Sequence, residues 1–167
     1  WPQRFLRTRT YPPLISTRNG SMGYSIPSAL AASLRYPERL VVTVTGDGEF
    51  TMNGNELATA CQHGAAPLVV LMDNGQYGTI RAHQERSYPG RISGTQLTNP
   101  DFAAIAEAMG AFGARIERTE HITEAVTGAL RAVQEDHRPA LLHVVVDPPV
   151  LLPPVPADLA ASVEEQN

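Results

Sequence analysis

The chain has 167 residues, with 17 acidic and 13 basic side chains and a formal net charge of −4. This length allows one domain with a sizeable core, and the negative charge argues against nucleic acid or an anionic membrane as the main partner. Its single cysteine, Cys61, excludes an internal disulfide framework and argues against a cysteine-ligated metal site.

The basic residues are all arginines, because the chain contains no lysine. A pyridoxal phosphate Schiff base, a lysine aldolase site and a Walker-type phosphate loop each need a lysine amine, so none of them can form within this chain. No apolar run approaches the roughly 20 residues of a membrane span, and we find no secretory signal, which predicts a cytoplasmic protein. The chain starts at Trp1 rather than Met, so we expect it to be part of a longer protein.

The first 19 residues predict an irregular segment, since they hold four arginines, three prolines and no acid, without a helical or alternating period. We interpret them as a solvated segment that packs on another part of the protein, with a basic arm for nucleic acid as the alternative. A glycine-rich turn follows over 19–26. Pro27 then suits the first turn of a helix rich in Ala and Ser, which includes 28–34.

Two apolar runs, 40–45 and 67–72, predict buried strands on either side of a helix. Residues 53–56 form an Asn-Gly-Asn-Glu capping box at the start of this helix, and Gly64 ends it. Cys61 on the apolar face of the helix is interpreted as a core thiol rather than a nucleophile. A strand-helix-strand unit of this kind leaves both strands parallel.

Polar residues follow both of these strands. Asp47 lies in a Gly-Asp-Gly sequence directly after the first strand, and Asn74 follows the second. The carboxyl ends of parallel strands emerge on the same edge of a sheet, where ligands of open α/β folds bind. A carboxylate and an amide oxygen are hard ligands, so the two residues favour Mg2+ or Ca2+ over zinc.

The rest of the chain continues the alternation of helices and strands. We predict a short helix near 78–86 over the binding edge, and a helix from an Asn99-Pro100-Asp101 cap to Met109, ended by Gly110. A strand over 114–117 precedes a helix whose buried stripe consists of Ile122, Ala125, Val126, Ala129, Leu130 and Val133. The last strand, 141–146, contains His143, interpreted as a core residue rather than a ligand. These elements predict an α/β fold with a parallel sheet and helices on both faces.

The Gly-Asp-Gly turn is the strongest indication of chemistry. It lacks the last glycine of the dinucleotide fingerprint GxGxxG, and the Asp47 carboxylate would repel a bare pyrophosphate. The same carboxylate becomes favourable if a divalent cation bridges it to a diphosphate, and backbone N–H groups at the start of the 53–63 helix would complete the cradle.

Three motifs follow one another along the chain: Gly-Ser-Met-Gly-Tyr over 20–24, the Gly-Asp-Gly turn with Asn74 27 residues after Asp47, and the helical sequence 56–60. Together they resemble the thiamine diphosphate-dependent enzyme family, whose motif starts with Gly-Asp-Gly. The resemblance is to the C-terminal diphosphate-binding (PP) domain of the acetolactate synthase and 2-oxoacid decarboxylase superfamily. The similarity extends over about 16–148, so we divide the chain into an irregular segment (1–19), the PP domain (20–148) and a proline-rich tail (149–167).

The resemblance implies a set of site residues. Mg2+ would be ligated by the side chains of Asp47 and Asn74 and by the backbone carbonyl of Gln76. Gly48 and Glu49 would donate amides to the diphosphate, Gly20 would accept a hydrogen bond from the aminopyrimidine, and Met22 would hold the cofactor in its bent form. The full implied cofactor site is Gly20, Ser21, Met22, Gly46, Asp47, Gly48, Glu49, Asn74, Gln76, Tyr77 and Gly78.

The chain departs from the family pattern at three positions. Asp73 stands where the family usually has the first asparagine of a pair, and Glu49 stands where serine is frequent. His83 lies near the place where acetohydroxyacid synthases carry a substrate-facing tryptophan, and it is either a substrate-side residue or a surface residue.

The resemblance also indicates what this chain does not supply. In the superfamily a glutamate on a separate pyrimidine-binding (PYR) domain activates the cofactor, and we find no such domain here. The first strand and helix of a PP domain also have no counterpart. We therefore expect no catalytic residue in this chain, no turnover by the chain alone, and a PYR domain on the same or another chain as its partner.

The sequence leaves three functions open. The first is the cofactor-binding part of an oligomeric thiamine diphosphate and Mg2+ enzyme that decarboxylates a 2-oxoacid or joins it to a second carbonyl compound. The second is a non-catalytic domain that binds Mg2+ and a diphosphate or forms a subunit interface. The third, a subunit of a 2-oxoacid:ferredoxin oxidoreductase, is disfavoured by the single cysteine, since iron–sulfur clusters need several.

Overall fold

A computed structural model describes residues 14–146 of the chain. The expectations for 1–13 and for the proline-rich tail lie outside the described residues. Residues 14–19 form no helix or strand, as predicted.

Four strands form one parallel sheet, in the order β1-β2-β4-β3. They are β1 (Val42–Gly46), β2 (Leu68–Asp73), β3 (Phe112–Ile116) and β4 (Ala140–Val145). Residues 14–146 also form six α-helices: α1 (Ser25–Arg35), α2 (Asp47–Asn53), α3 (Glu56–His63), α4 (Gly78–Ser87), α5 (Phe102–Ala108) and α6 (Ile122–Gln134). The parallel α/β architecture predicted from the apolar runs is confirmed.

The two faces of the sheet bury two separate sets of side chains, because successive residues of a strand point to opposite faces. On one face, Val69, Leu71 and Leu141 pack with residues of α1, α2, α3 and α5. On the other face, Leu68 and Leu142 pack with α6. Helices therefore cover both faces, which is why β2 and β4 read as continuous apolar runs.

Two local expectations are wrong. The predicted capping box at 53–56 does not cap a helix: Asn53 ends α2 and its side chain donates to the carbonyl of Gly23, while Asn55, the residue before α3, makes no side-chain cap. A helix begins already at Asp47, so the backbone N–H groups nearest the binding edge belong to α2. Ile122, the first residue of α6, is 42% exposed and lies outside the buried stripe of that helix.

Other helix ends agree with the sequence. Gly64 adopts the left-handed conformation at the end of α3, and Asp101 caps α5 by accepting hydrogen bonds from the backbone N–H groups of residues 103 and 104. Cys61 packs against the core, and burial raises the pKa of its thiol, which supports a core role. Within residues 14–146, no helix has both the length and the apolar character needed to cross a membrane.

Candidate functional site

The carboxyl ends of β1 and β2 frame a cavity of about 490 Å³. Gly46 ends β1 in an extended conformation and Asp47 starts α2, so the chain turns directly from strand to helix at this edge. At the end of β2 the chain turns at Gly75, which has a positive φ of 67° that favours glycine. The cavity is lined by Gly20, Met22, Gly46, Asp47, Gly48, Glu49, Met72, Asn74, Gln76, Tyr77, Gly78, Thr79 and Ile80.

The predicted site residues come from three separate segments, and the structure brings nearly all of them together. Ten of the eleven residues predicted to bind the cofactor line this cavity. Ser21 is the exception, and its hydroxyl donates to Asn19 instead. His83 does not line the cavity either: it is exposed on α4, with its Nδ1 atom 2.6 Å from an Arg86 guanidinium nitrogen.

Asp47 is the most buried ionisable group of the cavity, with 3% of its surface exposed. Its Oδ1 atom accepts a hydrogen bond from the backbone N–H of Gly48 at 2.9 Å. Its Oδ2 atom accepts one from the side-chain amide of Asn99 at 2.7 Å. Each carboxylate oxygen retains further acceptor capacity, which a cation could use.

The pKa values of the two acids at this edge shift in opposite directions. Burial raises the pKa of the Asp47 carboxyl, and the nearby Asp73 carboxylate raises it further against the hydrogen bonds from Asn99 and Gly48. Burial also acts to raise the pKa of Asp73, but its hydrogen bonds with His143, Asn99 and the Gly75 N–H outweigh that effect and lower it. An acid whose charged form is disfavoured by burial and by a like charge would be stabilised by a bound cation.

Asn74 and Gln76 lie in the turn after β2. The side-chain oxygen of Asn74 accepts a hydrogen bond from the backbone N–H of Gln76 at 3.2 Å, which holds the turn closed. The side-chain oxygen of Gln76 accepts one from Arg81 at 2.9 Å, so this side chain is engaged with α4. These contacts give the Gln76 side chain a structural role, and ligation of a cation by its backbone carbonyl stays a prediction.

The donors at this site fit a hard divalent cation. Residues 14–146 contain no cluster of three or more His, Cys, Asp or Glu side chains suited to a metal ion, so a metal here would need amide or carbonyl oxygens besides one carboxylate. Asp47, Asn74 and Gln76 line one cavity and carry such oxygens. Oxygen-only ligation with few charged ligands is the usual mode of Mg2+ bound together with a phosphate.

Glu49 lines the cavity, and its side chain also makes a hydrogen bond to α1. Its Oε1 atom accepts a hydrogen bond from the backbone N–H of Ser25, the first residue of α1, at 3.2 Å. A carboxylate at a helix start satisfies an otherwise unpaired N–H group and interacts favourably with the helix dipole. Glu49 thus joins α2 to α1 and fixes the glycine-rich turn that carries Gly20 and Met22.

Two residues behind the cavity were not assigned to the site from the sequence. Asn99 was interpreted only as part of a helix cap, yet its amide reaches both Asp47 and Asp73. His143 is fully buried, and its Nε2 atom lies 2.8 Å from Asp73 Oδ2. Its Nδ1 atom makes no hydrogen bond but lies 3.6 Å from Asp101 Oδ1, so the histidine is a core residue between two acids.

The ring of Tyr77 lies so close to the backbone of Gly48 that it leaves no space for a side chain there. A Cβ atom on Gly48 would overlap that ring, so we expect Gly48→Ala to displace Tyr77 and to lower the free energy of unfolding by about 1–3 kcal/mol. The measurement is denaturant unfolding of Gly48→Ala in the wild-type and Tyr77→Ala backgrounds. The penalty should shrink when the ring is absent, and an equal penalty in both backgrounds would show that the ring is not what excludes a side chain.

Comparisons with known proteins match the part of the chain that contains this cavity. The model of the family described as "Thiamine pyrophosphate enzyme, C-terminal TPP binding domain" matches residues 1–144. The mitochondrial catalytic subunit of acetolactate synthase from Aspergillus candidus is 35% identical over 158 residues, which cover 93% of this chain and 22% of the relative. Acetolactate synthase from Mycobacterium leprae is 35% identical over 174 residues, covering 99% of this chain and 27% of the relative.

The chain therefore spans about a quarter of the length of these relatives. Among solved structures, benzoylformate decarboxylase from Polynucleobacter necessarius superposes with a TM-score of 0.70 at 24% sequence identity. The superposition covers 77% of this chain and 24% of that protein, and it shows that the fold is shared.

Proposed function

The chain belongs to the thiamine pyrophosphate enzyme family, in which it corresponds to the C-terminal TPP-binding domain, and we propose that it is the cofactor-binding part of an acetolactate synthase-like enzyme that uses thiamine diphosphate and Mg2+ to act on a 2-oxoacid. Thiamine diphosphate and thiamine pyrophosphate are the same cofactor. The observation that supports the proposal is the cavity at the ends of β1 and β2, because three segments that carry the motif residues line it together.

The residues of this chain would hold the cofactor by its two ends. Asp47, Asn74 and the carbonyl of Gln76 would bind Mg2+ and through it the diphosphate. Gly20 and Met22, which line the same cavity, would orient the aminopyrimidine end. When bound, the cofactor supplies the carbanion and the electron sink of 2-oxoacid chemistry, while the protein supplies geometry and electrostatics.

One detail of the site bears on how the diphosphate would be bound. The Gly48 N–H group, predicted to donate to the diphosphate, donates to Asp47 Oδ1 in this structure. A diphosphate that accepts from this amide would compete with Asp47 Oδ1 for it. We therefore propose that Mg2+ and the diphosphate bind together, because a cation would offset the charge of the Asp47 carboxylate beside the diphosphate.

The chain alone is proposed to be inactive. The family's activating glutamate belongs to a PYR domain, which we propose is supplied by the same polypeptide or by another chain of a homo-oligomer. The cavity is open enough for such a partner, since Met22 and Ile80 in its lining are 41% and 45% exposed. We propose that the intact enzyme either decarboxylates its substrate or joins it to a second carbonyl compound. We also propose that the enzyme is cytoplasmic.

The test is a calorimetric titration of this chain and of the full-length protein with thiamine diphosphate, with and without Mg2+. We expect Mg2+-dependent binding by the full-length protein and little binding by the chain alone. Absence of binding in both would overturn the proposal in favour of a non-catalytic or subunit-interface domain. Turnover assays with pyruvate and other 2-oxoacids would then separate decarboxylation from carbon–carbon bond formation.

A further inference from the structure

One amide group connects the two carboxylates at the carboxyl edge of the sheet. The Nδ2 atom of Asn99 lies 2.7 Å from Asp47 Oδ2 and 2.7 Å from Asp73 Oδ1. An asparagine NH2 group has two hydrogens, so it can donate one to each acid. Asn99 is thus a bridge between the end of β1, where Asp47 lies, and the end of β2, where Asp73 lies.

The bridge stands between two groups of like charge. One oxygen of each carboxyl group lies 2.7 Å from the same nitrogen atom of Asn99, so the two carboxyl groups are close enough to interact electrostatically. Two carboxylates that share a site repel each other and tend to separate or to share a proton. The amide N–H groups of Asn99 offset this repulsion, because each donates to one acid.

Asn99 is itself held in place by its neighbours. Pro100 follows it and restricts its backbone to extended conformations. The next residue, Asp101, caps α5, whose first residue Phe102 is fully buried in the core. The far side of Asp73 is fixed in turn, since its Oδ2 atom contacts the buried His143 and its Oδ1 atom accepts from the Gly75 N–H.

We propose that Asn99 is a positioning residue for the Mg2+ site, which holds the Asp47 carboxylate in its metal-binding orientation against the charge of Asp73. This inference rests on the proposed function, because it assigns Asn99 to the same cation site. It adds a residue that the family motif does not contain. The role of Asn99 is also linked to the acid at position 73. An aspartate there repels Asp47 and requires a hydrogen-bond donor from another residue, which a neutral asparagine would not.

The effect of replacing Asn99 on Mg2+ binding should depend on Asp73. With Asp73 present, Asn99→Ala leaves two facing carboxylates without their shared donor, so Asp47 turns away and binds Mg2+ less tightly. With Asp73→Asn, the like charge is gone and the amide at position 73 can itself donate to Asp47. The same Asn99→Ala change should then have a much smaller effect.

The experiment is a double-mutant cycle in the full-length protein with Asn99→Ala, Asp73→Asn and the combined variant. The readout is the Mg2+ concentration at half-maximal binding of thiamine diphosphate, measured by calorimetry. We expect Asn99→Ala to raise it about 10- to 100-fold, the usual effect of losing an outer partner of a metal ligand. In the Asp73→Asn background the increase should be less than about threefold, because the repulsion that the amide offsets is absent.

Two controls separate positioning from folding. Gln134→Ala removes an amide from an exposed residue at the end of α6, on the opposite edge of the sheet, and should leave the Mg2+ dependence unchanged. Asn99→Ser keeps one donor and should give an intermediate Mg2+ dependence, and it replaces Asn99→Ala in the cycle if the alanine variant does not fold. Denaturant unfolding without Mg2+ reports the stability of each variant independently of binding.

The outcomes are distinct. If the wild-type protein does not bind thiamine diphosphate with Mg2+, the proposed function fails and the role of Asn99 fails with it. If the wild-type protein binds and Asn99→Ala binds with the same Mg2+ dependence, only the positioning role is overturned. If Asn99→Ala weakens binding equally in both backgrounds, Asn99 has a structural role that does not involve Asp73, and the inference is also overturned.

Discussion

Replacing Asp47 with alanine is expected to abolish the Mg2+-dependent binding of thiamine diphosphate by the full-length protein. Asp47 is the only carboxylate in the proposed ligand set, and the other two ligands are neutral oxygens of Asn74 and Gln76. Loss of an outer partner of a metal ligand already costs about 10- to 100-fold in affinity, so loss of the charged ligand should exceed that range. Calorimetry over a wide Mg2+ range would measure the change.

Asp47→Asn distinguishes lost ligation from misfolding. The variant keeps one oxygen acceptor and removes the repulsion with Asp73, which raises the pKa of the native carboxyl. We expect its free energy of unfolding without Mg2+ to lie within about 1 kcal/mol of the wild-type value, while its binding of the cofactor is lost. Asp136→Asn, at an exposed position on the opposite edge, is the matched control. Wild-type Mg2+ affinity in both Asp47 variants would refute the ligand assignment.

The fold could be predicted from the sequence because its two central strands, β2 and β4, are largely buried on both faces. β2 and β4 are short apolar runs flanked by turn residues, and such runs between helices leave few alternatives to a parallel sheet. The start of the helix after β1 could not be predicted, because 53–56 matches a capping box while the turn at Gly46 and Asp47 matches none. The helix nevertheless begins at Asp47 and includes Gly48, a residue type that local propensity disfavours in helices.

The site could be predicted in part, for a physical reason. Asp47 and Asn74 directly follow neighbouring parallel strands, so topology alone brings them to one edge. Asn99 reaches the same edge from a loop 25 residues beyond Asn74, and nothing in its local sequence indicates the two acids that it contacts. His143 reads as one polar residue in an apolar strand, and only its register beside Leu71 in β2 shows that it lies next to the end of that strand.

The second large effect is expected in the core that supports this edge. Phe102, the first residue of α5, is 1% exposed and packs edge-on against Phe50 of α2 and against the ring of His143, with centroid distances of 5.4 and 5.2 Å. It therefore joins the helix that carries Asp47 to the histidine that contacts Asp73. Phe102→Ala would leave a cavity between these elements, and such a change typically costs about 3–5 kcal/mol.

We expect Phe102→Ala to lower the free energy of unfolding by that amount, measured by denaturant unfolding with unchanged m-value, and Phe102→Leu to lower it by less. Ile122→Ala is the control, because Ile122 has the size and hydrophobicity of a core residue but is 42% exposed, and its loss should cost less than about 1 kcal/mol. The sequence predicts Ile122 to be buried whereas the structure exposes it, so this comparison also distinguishes the expected core from the observed one. A larger loss for Ile122→Ala than for Phe102→Ala would mean that the core lies elsewhere than at the junction of α2, α5 and β4.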